Sequence, residues 1–109
     1  MTYKDEMLAS NVAQVASEMN INQAGIYDAS NICLWEVKLC MAWLELSSEH
    51  TFLGKNTYTL KHVVETWADE QGIEPTYVSN GAFMVAAVLC GYGLERIKNT
   101  QNAKVVSLK

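Results

Sequence analysis

Histidine and cysteine side chains are the groups in this sequence whose chemistry would suit a metal ion. A zinc site needs several such ligands at spacings like C-x-x-C or H-x-x-x-H. The candidates stand at no such spacing; they are His50, His62, Cys33, Cys40 and Cys90. The sequence therefore predicts neither a metal site nor a cofactor.

Nucleophilic catalysis would require a serine or cysteine beside a histidine and an orienting acid. Ser79, Cys90, His62 and Glu65 supply these residue types, as most chains of this length would. The sequence contains no G-x-S-x-G elbow and no glycine-rich phosphate loop. His62 is better interpreted as a boundary histidine that hydrogen-bonds a neighbour on its own helix. We expect a protein that is not an enzyme.

Polar and basic residues in the last third of the chain are candidates for contact with a nucleic acid or a protein partner. Cations and asparagines there suit phosphate groups, and two polar residues open the preceding apolar stretch. The candidates are Ser79, Asn80, Arg96, Lys98, Asn99, Asn102 and Lys104. The apolar stretch itself, residues 81–90, carries no Arg, Lys, Asn or Gln with which to read a base. About three phosphate contacts would give weak, salt-sensitive binding, and a homodimer would double the number of these contacts.

Tyrosine and tryptophan are plentiful, with five and three residues. Such side chains fill the core of a small domain, and when exposed they dominate the energetics of protein interfaces. The sequence leaves both interpretations open. The residues concerned are Tyr3, Tyr27, Trp35, Trp43, Tyr58, Trp67, Tyr77 and Tyr92.

Charge is negative overall and unevenly distributed. The net charge is -4, with -7 over residues 1–93 and +3 over residues 94–109. This balance disfavours a strongly cationic binder of nucleic acid or membranes. Residues 1–6 resemble no secretory signal, and no apolar run reaches the ~20 residues of a membrane span. We expect a cytoplasmic protein without membrane contact.

Hydrophobic periodicity predicts a mainly α fold of about four helices with a C-terminal β-hairpin, winged-helix-like. The predicted helices cover about 4–19, 27–46, 57–71 and 79–91, and strands 94–98 and 103–108 flank a polar loop. The second helix is apolar nearly all round, so it is expected to form the spine of the core, capped by Asp28 or Ser30. The buried stripe of the third helix is predicted to be Leu60, Val63, Val64, Trp67 and Ala68.

One domain is expected from 109 residues. Its parts are an N-terminal helix and linker (1–25), a helical core (26–93) and the hairpin (94–109). On one helix, Cys33 and Cys40 would lie roughly 10 Å apart along its axis, too far for a disulfide. All three cysteines are therefore expected to be reduced and to act as small core residues.

Two sequence blocks carry a resemblance to a group of bacterial proteins. They read Y-T-L-K-H-V-V-E-T-W-A at 58–68 and Y-V-S-N-G-A-F-M-V-A-A at 77–87. With Gly91-Tyr92 and Asn102-Ala103, they resemble a family of small uncharacterised proteins of proteobacterial phages, plasmids and integrated elements. The resemblance covers about residues 34–106, and residues 71–76 and 104–106 depart from its pattern. It implies an accessory protein of a mobile element and assigns no functional residue.

These observations predict a non-enzymatic protein of a mobile element that binds a host or phage protein. By analogy with other small acidic proteins of such elements, it would inhibit a defence complex such as CRISPR–Cas. The alternative is a winged helix-turn-helix regulator that binds DNA. The choice depends on residues 81–90: if this stretch is interior scaffold, it has no surface for reading bases.

Overall fold

The computed structural model describes residues 3–19, 21–22, 25–26 and 32–108. Its helices are α1 (Tyr3–Met19), α2 (Leu34–Leu46), α3 (Thr57–Glu70) and α4 (Asn80–Leu89). Two antiparallel hairpins pair β1 (Ile21–Asn22) with β2 (Gly25–Ile26), and β3 (Gly93–Arg96) with β4 (Ala103–Val106). This confirms the mainly α fold with a C-terminal hairpin. The β1–β2 pairing lies where the sequence predicted only a break between helices.

The centre of the molecule is α4. It contains no charged side chain, and residues 80–87 are all buried. All three other helices pack against it, as do β1, β2 and β3. A helix that is apolar on every side requires packing of this kind. The prediction that this stretch is interior scaffold is therefore confirmed.

The spine of the core is α4 rather than α2, which corrects the expectation from the sequence. α2 buries five residues but leaves Trp35 and Leu46 exposed. It also begins at Leu34, later than predicted, and its N-cap residue Cys33 makes no side-chain capping bond. The caps expected at Asp28 and Ser30 fall outside the described residues.

The three cysteines differ in environment, so the expectation of three core cysteines is wrong for Cys33, which is exposed. Cys40 is buried and Cys90 is partly buried. Burial disfavours the thiolate, and the negative charge of Glu36 adds to this effect, so the pKa of Cys40 lies well above its usual value. Burial, assisted by Glu45, raises the pKa of Cys90 to about 11. Both thiols are therefore neutral at physiological pH.

α3 and α4 begin where the sequence predicts, because each has a capping side chain. Asn56 Oδ1 accepts the Tyr58 N–H at 2.8 Å, and Ser79 Oγ accepts the Ala82 N–H at 3.1 Å. α3 is followed by Gly72, whose φ of 73° allows the chain to turn back sharply. These local signals fix where both helices begin and where α3 ends.

The connection between α2 and α3 contains a core residue that the sequence did not reveal. Phe52 lies between the predicted second and third helices, yet it is fully buried. Its ring lies 6.0 Å from that of Trp43 and 5.0 Å, edge-on, from that of Tyr92. Aromatic packing therefore ties this loop to α2 and to the start of the hairpin.

A short seam joins the hairpin to the helices. Asn56 pairs with Lys104 in an isolated antiparallel β-bridge. The Gly54 N–H donates to the Val105 carbonyl at 2.7 Å, and the Val105 N–H donates to the Lys55 carbonyl at 3.1 Å. β4 therefore lies between β3 and the 54–56 segment, which directly precedes α3.

Candidate functional site

The residues considered for catalysis are only partly brought together. His62 Nδ1 lies 2.9 Å from Glu65 Oε1 on α3, and the histidine side chain is about half exposed. The Ser79 hydroxyl instead accepts a backbone N–H of α4, which it caps. His62 is thus a boundary histidine bonded to a helix neighbour, as predicted. Within the described residues, no three His, Cys, Asp or Glu side chains gather to hold a metal ion.

Ser79 and Asn80 are not available to a partner, which corrects their place among the contact candidates. They are 1% and 4% exposed. Ser79 is occupied by its capping bond, and Asn80 Nδ2 donates to Asn102 Oδ1 at 2.9 Å. Asn102 is itself partly buried. The bond between Asn80 and Asn102 therefore fastens the start of α4 to the hairpin, while Ser79 caps the helix.

The remaining contact candidates, Arg96, Lys98, Asn99 and Lys104, are exposed. Arg96 Nε donates to the Thr100 carbonyl at 2.9 Å, which fixes the loop of the hairpin. Glu95 lies opposite Lys104 in the strand register and offsets part of its charge.

Sequence reasoning missed a fourth cation, Lys55, which is exposed and lies beside β4 through the seam. No spacing rule links Lys55 to the hairpin, because the pairing joins distant parts of the chain. We call the end of the molecule that carries the cations Lys55, Arg96, Lys98 and Lys104, on the hairpin or beside it, the basic end.

Exposed aromatic and apolar side chains gather on α3 and on the segment that follows it. Tyr58 is 49% exposed, Val63 41% and Tyr77 58%, whereas Trp67 is partly buried. The prediction that Val63 belongs to the buried stripe is therefore wrong. A shallow depression of about 350 Å³ runs along α3; it is lined by Thr59, His62, Val63, Thr66, Trp67 and Glu70. We call Tyr58, His62, Val63, Trp67 and Tyr77 the α3 surface.

A buried cation lies between the two tyrosines of this surface. Lys61 Nζ is 5.4 Å from the centre of the Tyr58 ring and 5.1 Å from that of Tyr77. The residue is only 7% exposed, and its ammonium lies 3.5 Å from Glu65 Oε2. Cation–π attraction to both rings limits where the rings can move. The tyrosines are therefore held in place while about half of each remains accessible.

The backbone that carries Tyr77 is fastened to the helices by three side chains from α2 and α3. The bonds run from Trp35 Nε1 to the Pro75 carbonyl (3.2 Å), from the Val78 N–H to Glu65 Oε2 (3.0 Å), and from the Ser79 N–H to Glu36 Oε1 (2.8 Å). Glu65 therefore serves the Lys61 ammonium, the His62 ring and this segment at once. A surface fixed in this way loses little conformational entropy on binding.

Carboxylates border the α3 surface at the end of the helix. Asp69 and Glu70 lie in the last turn of α3, which contains no basic residue, and Glu74 follows shortly after. Asp69 and Glu74 line a second, open depression of about 600 Å³ together with Tyr77. None of the three carboxylates forms an ion pair with a described cation. This end of the molecule is consequently acidic.

Comparison of the chain with protein-family models, curated proteins and solved structures finds no match. In the described part of the chain, no helix is both long and apolar enough to cross a membrane. α3 has 14 residues and spans about 20 Å, with the basic end near its start and the carboxylates at its finish.

Proposed function

We propose that this chain is a non-enzymatic protein that binds another protein through the α3 surface. The observation that carries this proposal is the pair Tyr58 and Tyr77, each about half exposed and held on either side of the Lys61 ammonium. Tyrosine and tryptophan contribute a large share of binding energy at protein interfaces. Their fixed position reduces the entropy that binding costs.

The partner that we propose is a host or phage protein, and the chain is an accessory protein of a bacterial mobile element. An inhibitor of a defence complex such as CRISPR–Cas is the role that analogy favours. The proposed setting is supported by the two sequence blocks that resemble the mobile-element family. Those blocks include Tyr58, Lys61, Glu65 and Tyr77, the residues that build and brace the α3 surface.

Affinity purification from host cells tests this function with three versions of the full chain. The unaltered chain is expected to retain a protein partner in stoichiometric amount. Tyr58→Ser with Tyr77→Ser is expected to lose it, whereas Leu46→Ser, which changes an exposed apolar residue outside the α3 surface, keeps it. Equal retention by all three chains would contradict the proposal.

A second candidate function is DNA binding by a winged helix-turn-helix regulator. It is favoured by the position of β4 between β3 and the 54–56 segment, and by the cations of the basic end. Against it stands the burial of α4. This helix comes just before the hairpin, where such a regulator would have its recognition helix, yet its residues 80–87 are buried and offer no side chain to a base. The basic end by itself suits only a few phosphate contacts, which are weak at physiological salt.

A gel shift over a series of salt concentrations separates the two functions. For a protein-binding chain we expect no tight retardation of duplex DNA at physiological salt. Tight, sequence-dependent retardation that Arg96→Gln with Lys104→Gln abolishes would instead establish the DNA-binding regulator. Lys4→Gln with Lys38→Gln, which removes two positive charges from α1 and α2 instead of from the basic end, serves as the control for net charge.

A further inference from the structure

We propose that the α3 surface binds a cationic, amphipathic segment of the partner protein. An apolar side chain of that segment packs against Val63 and Trp67, while its lysine or arginine side chains meet Asp69, Glu70 and Glu74. This inference rests on the proposed function and adds the chemistry of the partner to it.

The apolar half of this inference rests on the depression along α3. Val63 is exposed on its wall, Trp67 is only partly covered, and the Thr59 and Thr66 side chains also line it. An apolar side chain placed there would remove surface of Val63 and Trp67 from water, which is favourable. The depression continues to Glu70, so one occupant can meet apolar and acidic groups together.

The charged half rests on where the carboxylates lie relative to the helix. The C-terminal end of a helix carries partial negative charge, so Asp69 and Glu70 are unfavourable in the last turn of α3. No described cation pairs with them or with Glu74. A cationic side chain docked there would be attracted by both the carboxylates and the helix end. These acids weaken the isolated helix and favour a basic partner.

Tyr77 connects the two halves. Its ring lines the acidic depression beside Asp69 and Glu74, and more than half of the residue is accessible. Lys61 approaches the same ring at 5.1 Å from within the protein. The exposed part of the ring can stack a guanidinium that also pairs with a carboxylate, an arrangement that arginine favours.

Two synthetic peptides with identical leucine positions probe this chemistry. One carries lysine and arginine at its polar positions and the other carries glutamate; each is titrated into the ¹⁵N-labelled full chain. We expect the basic peptide to shift amide signals of residues 63–77, and the acidic peptide to leave them unchanged. Signals shifted elsewhere, or equally by both peptides, would overturn the inference.

Charge variants sharpen this experiment. Asp69→Asn, Glu70→Gln and Glu74→Gln together are expected to weaken binding of the basic peptide roughly tenfold, at about two- to three-fold for each carboxylate. Glu6→Gln, Glu45→Gln and Glu49→Gln make the same charge change at exposed positions that line neither depression, and should weaken it less than about twofold. Equal weakening by both sets would show that net charge alone attracts the peptide, which overturns the inference.

Thermal melts provide a readout that a purely structural role would not produce. Neutralising Asp69 and Glu70 should weaken peptide binding but leave the melting temperature unchanged or raise it by a few degrees. The reason is that it removes the repulsion between these carboxylates and the partial negative charge at the end of α3. A melting temperature that drops together with binding would show that the carboxylates support the fold, contrary to the inference.

The host partner, once captured, distinguishes this inference from the proposed function. If the Asp69, Glu70 and Glu74 variant still captures it in full while the Tyr58 and Tyr77 variant does not, the function stands and the cationic chemistry is wrong. If the tyrosine variant also captures it, both are wrong. The oligomeric state of the chain is checked by sedimentation. If the unaltered chain is a dimer and the carboxylate variant is a monomer, the α3 surface binds a second copy of this chain, and the inference of a partner segment is overturned.

Discussion

α3 and α4 follow each other in the chain, and both begin with a side-chain cap, yet they face opposite environments. α4 is buried over residues 80–87, whereas α3 buries one stripe and exposes Tyr58 and Val63. The order of elements would make α4 the helix that meets a partner. The helix that keeps an accessible face is instead α3. Position in a familiar order of elements therefore does not decide which helix has an accessible surface.

The N-terminal part of the chain contributes to this difference. Val12 and Ala16 of α1 are buried, and α1 and β1 both pack against α4. An ion pair between Asp5 and Lys38 ties α1 to α2 as well. α1 therefore helps to enclose α4, while the outer face of α3 stays uncovered by any described element.

The largest effect is expected from truncating α4. Phe83 is fully buried, so Phe83→Ala should lower the free energy of unfolding by about 3–5 kcal/mol through lost burial and a cavity. Urea denaturation followed by circular dichroism measures this change. A loss below about 1 kcal/mol would mean that α4 is not the centre of the core.

A smaller loss is expected from Glu65→Gln, which removes the charge that faces Lys61 but keeps an acceptor for the Val78 N–H. We expect a decrease of about 2 kcal/mol in the free energy of unfolding, because a nearly buried ammonium loses its counter-charge. Adding Lys61→Met should restore part of the loss. If the double variant is as unstable as the two losses combined, the pair is not coupled as described.

The two caps offer a direct test of how burial separates the helices. Ser79→Ala should cost about 1–2 kcal/mol, since the Ala82 N–H then lacks a partner in a buried place. Asn56→Ala should cost about 0.5–1 kcal/mol, because water can reach the start of α3. Both are measured by denaturation. The reverse order would contradict the difference in burial.

The smallest effect is expected at Val63, which has a matched neighbour on the same helix. Val63 is 41% exposed and Val64 is fully buried. Val63→Ala should change stability by less than about 0.5 kcal/mol, because better helix propensity offsets the lost contact area. Val64→Ala should cost about 2 kcal/mol. Equal losses would place Val63 in the core and remove it from the α3 surface.

Much of the fold could be predicted because its signals are local. Asn56 and Ser79 mark helix starts by residue type, and the uninterrupted apolar stretch of α4 can only be interior. The predictions were wrong where a residue lies at the edge of a hydrophobic stripe. Val63 and Trp67 border the true stripe of α3, and periodicity alone does not show where a buried face ends.

The candidate site was less predictable because it joins distant parts of the chain. Tyr77 meets Lys61 only because Trp35, Glu36 and Glu65 fasten the segment between α3 and α4. That path is set by tertiary packing, and no spacing rule encodes it. Ser79 and Asn80 misled for a similar reason. Polar residues at a helix start look accessible until the neighbouring elements are in place.

The seam between the 54–56 segment and β4 bears on how the chain acquires its structure. The hydroxyl of Thr57, the first residue of α3, accepts a hydrogen bond from the Ala103 N–H, and the two residues are 46 positions apart in the sequence. Contacts between residues so far apart in sequence form late in folding, because the entropy cost of closing a long loop comes before their favourable free energy. We therefore expect the helices to assemble first and the hairpin to lock afterwards, more slowly than in a bundle of helices alone.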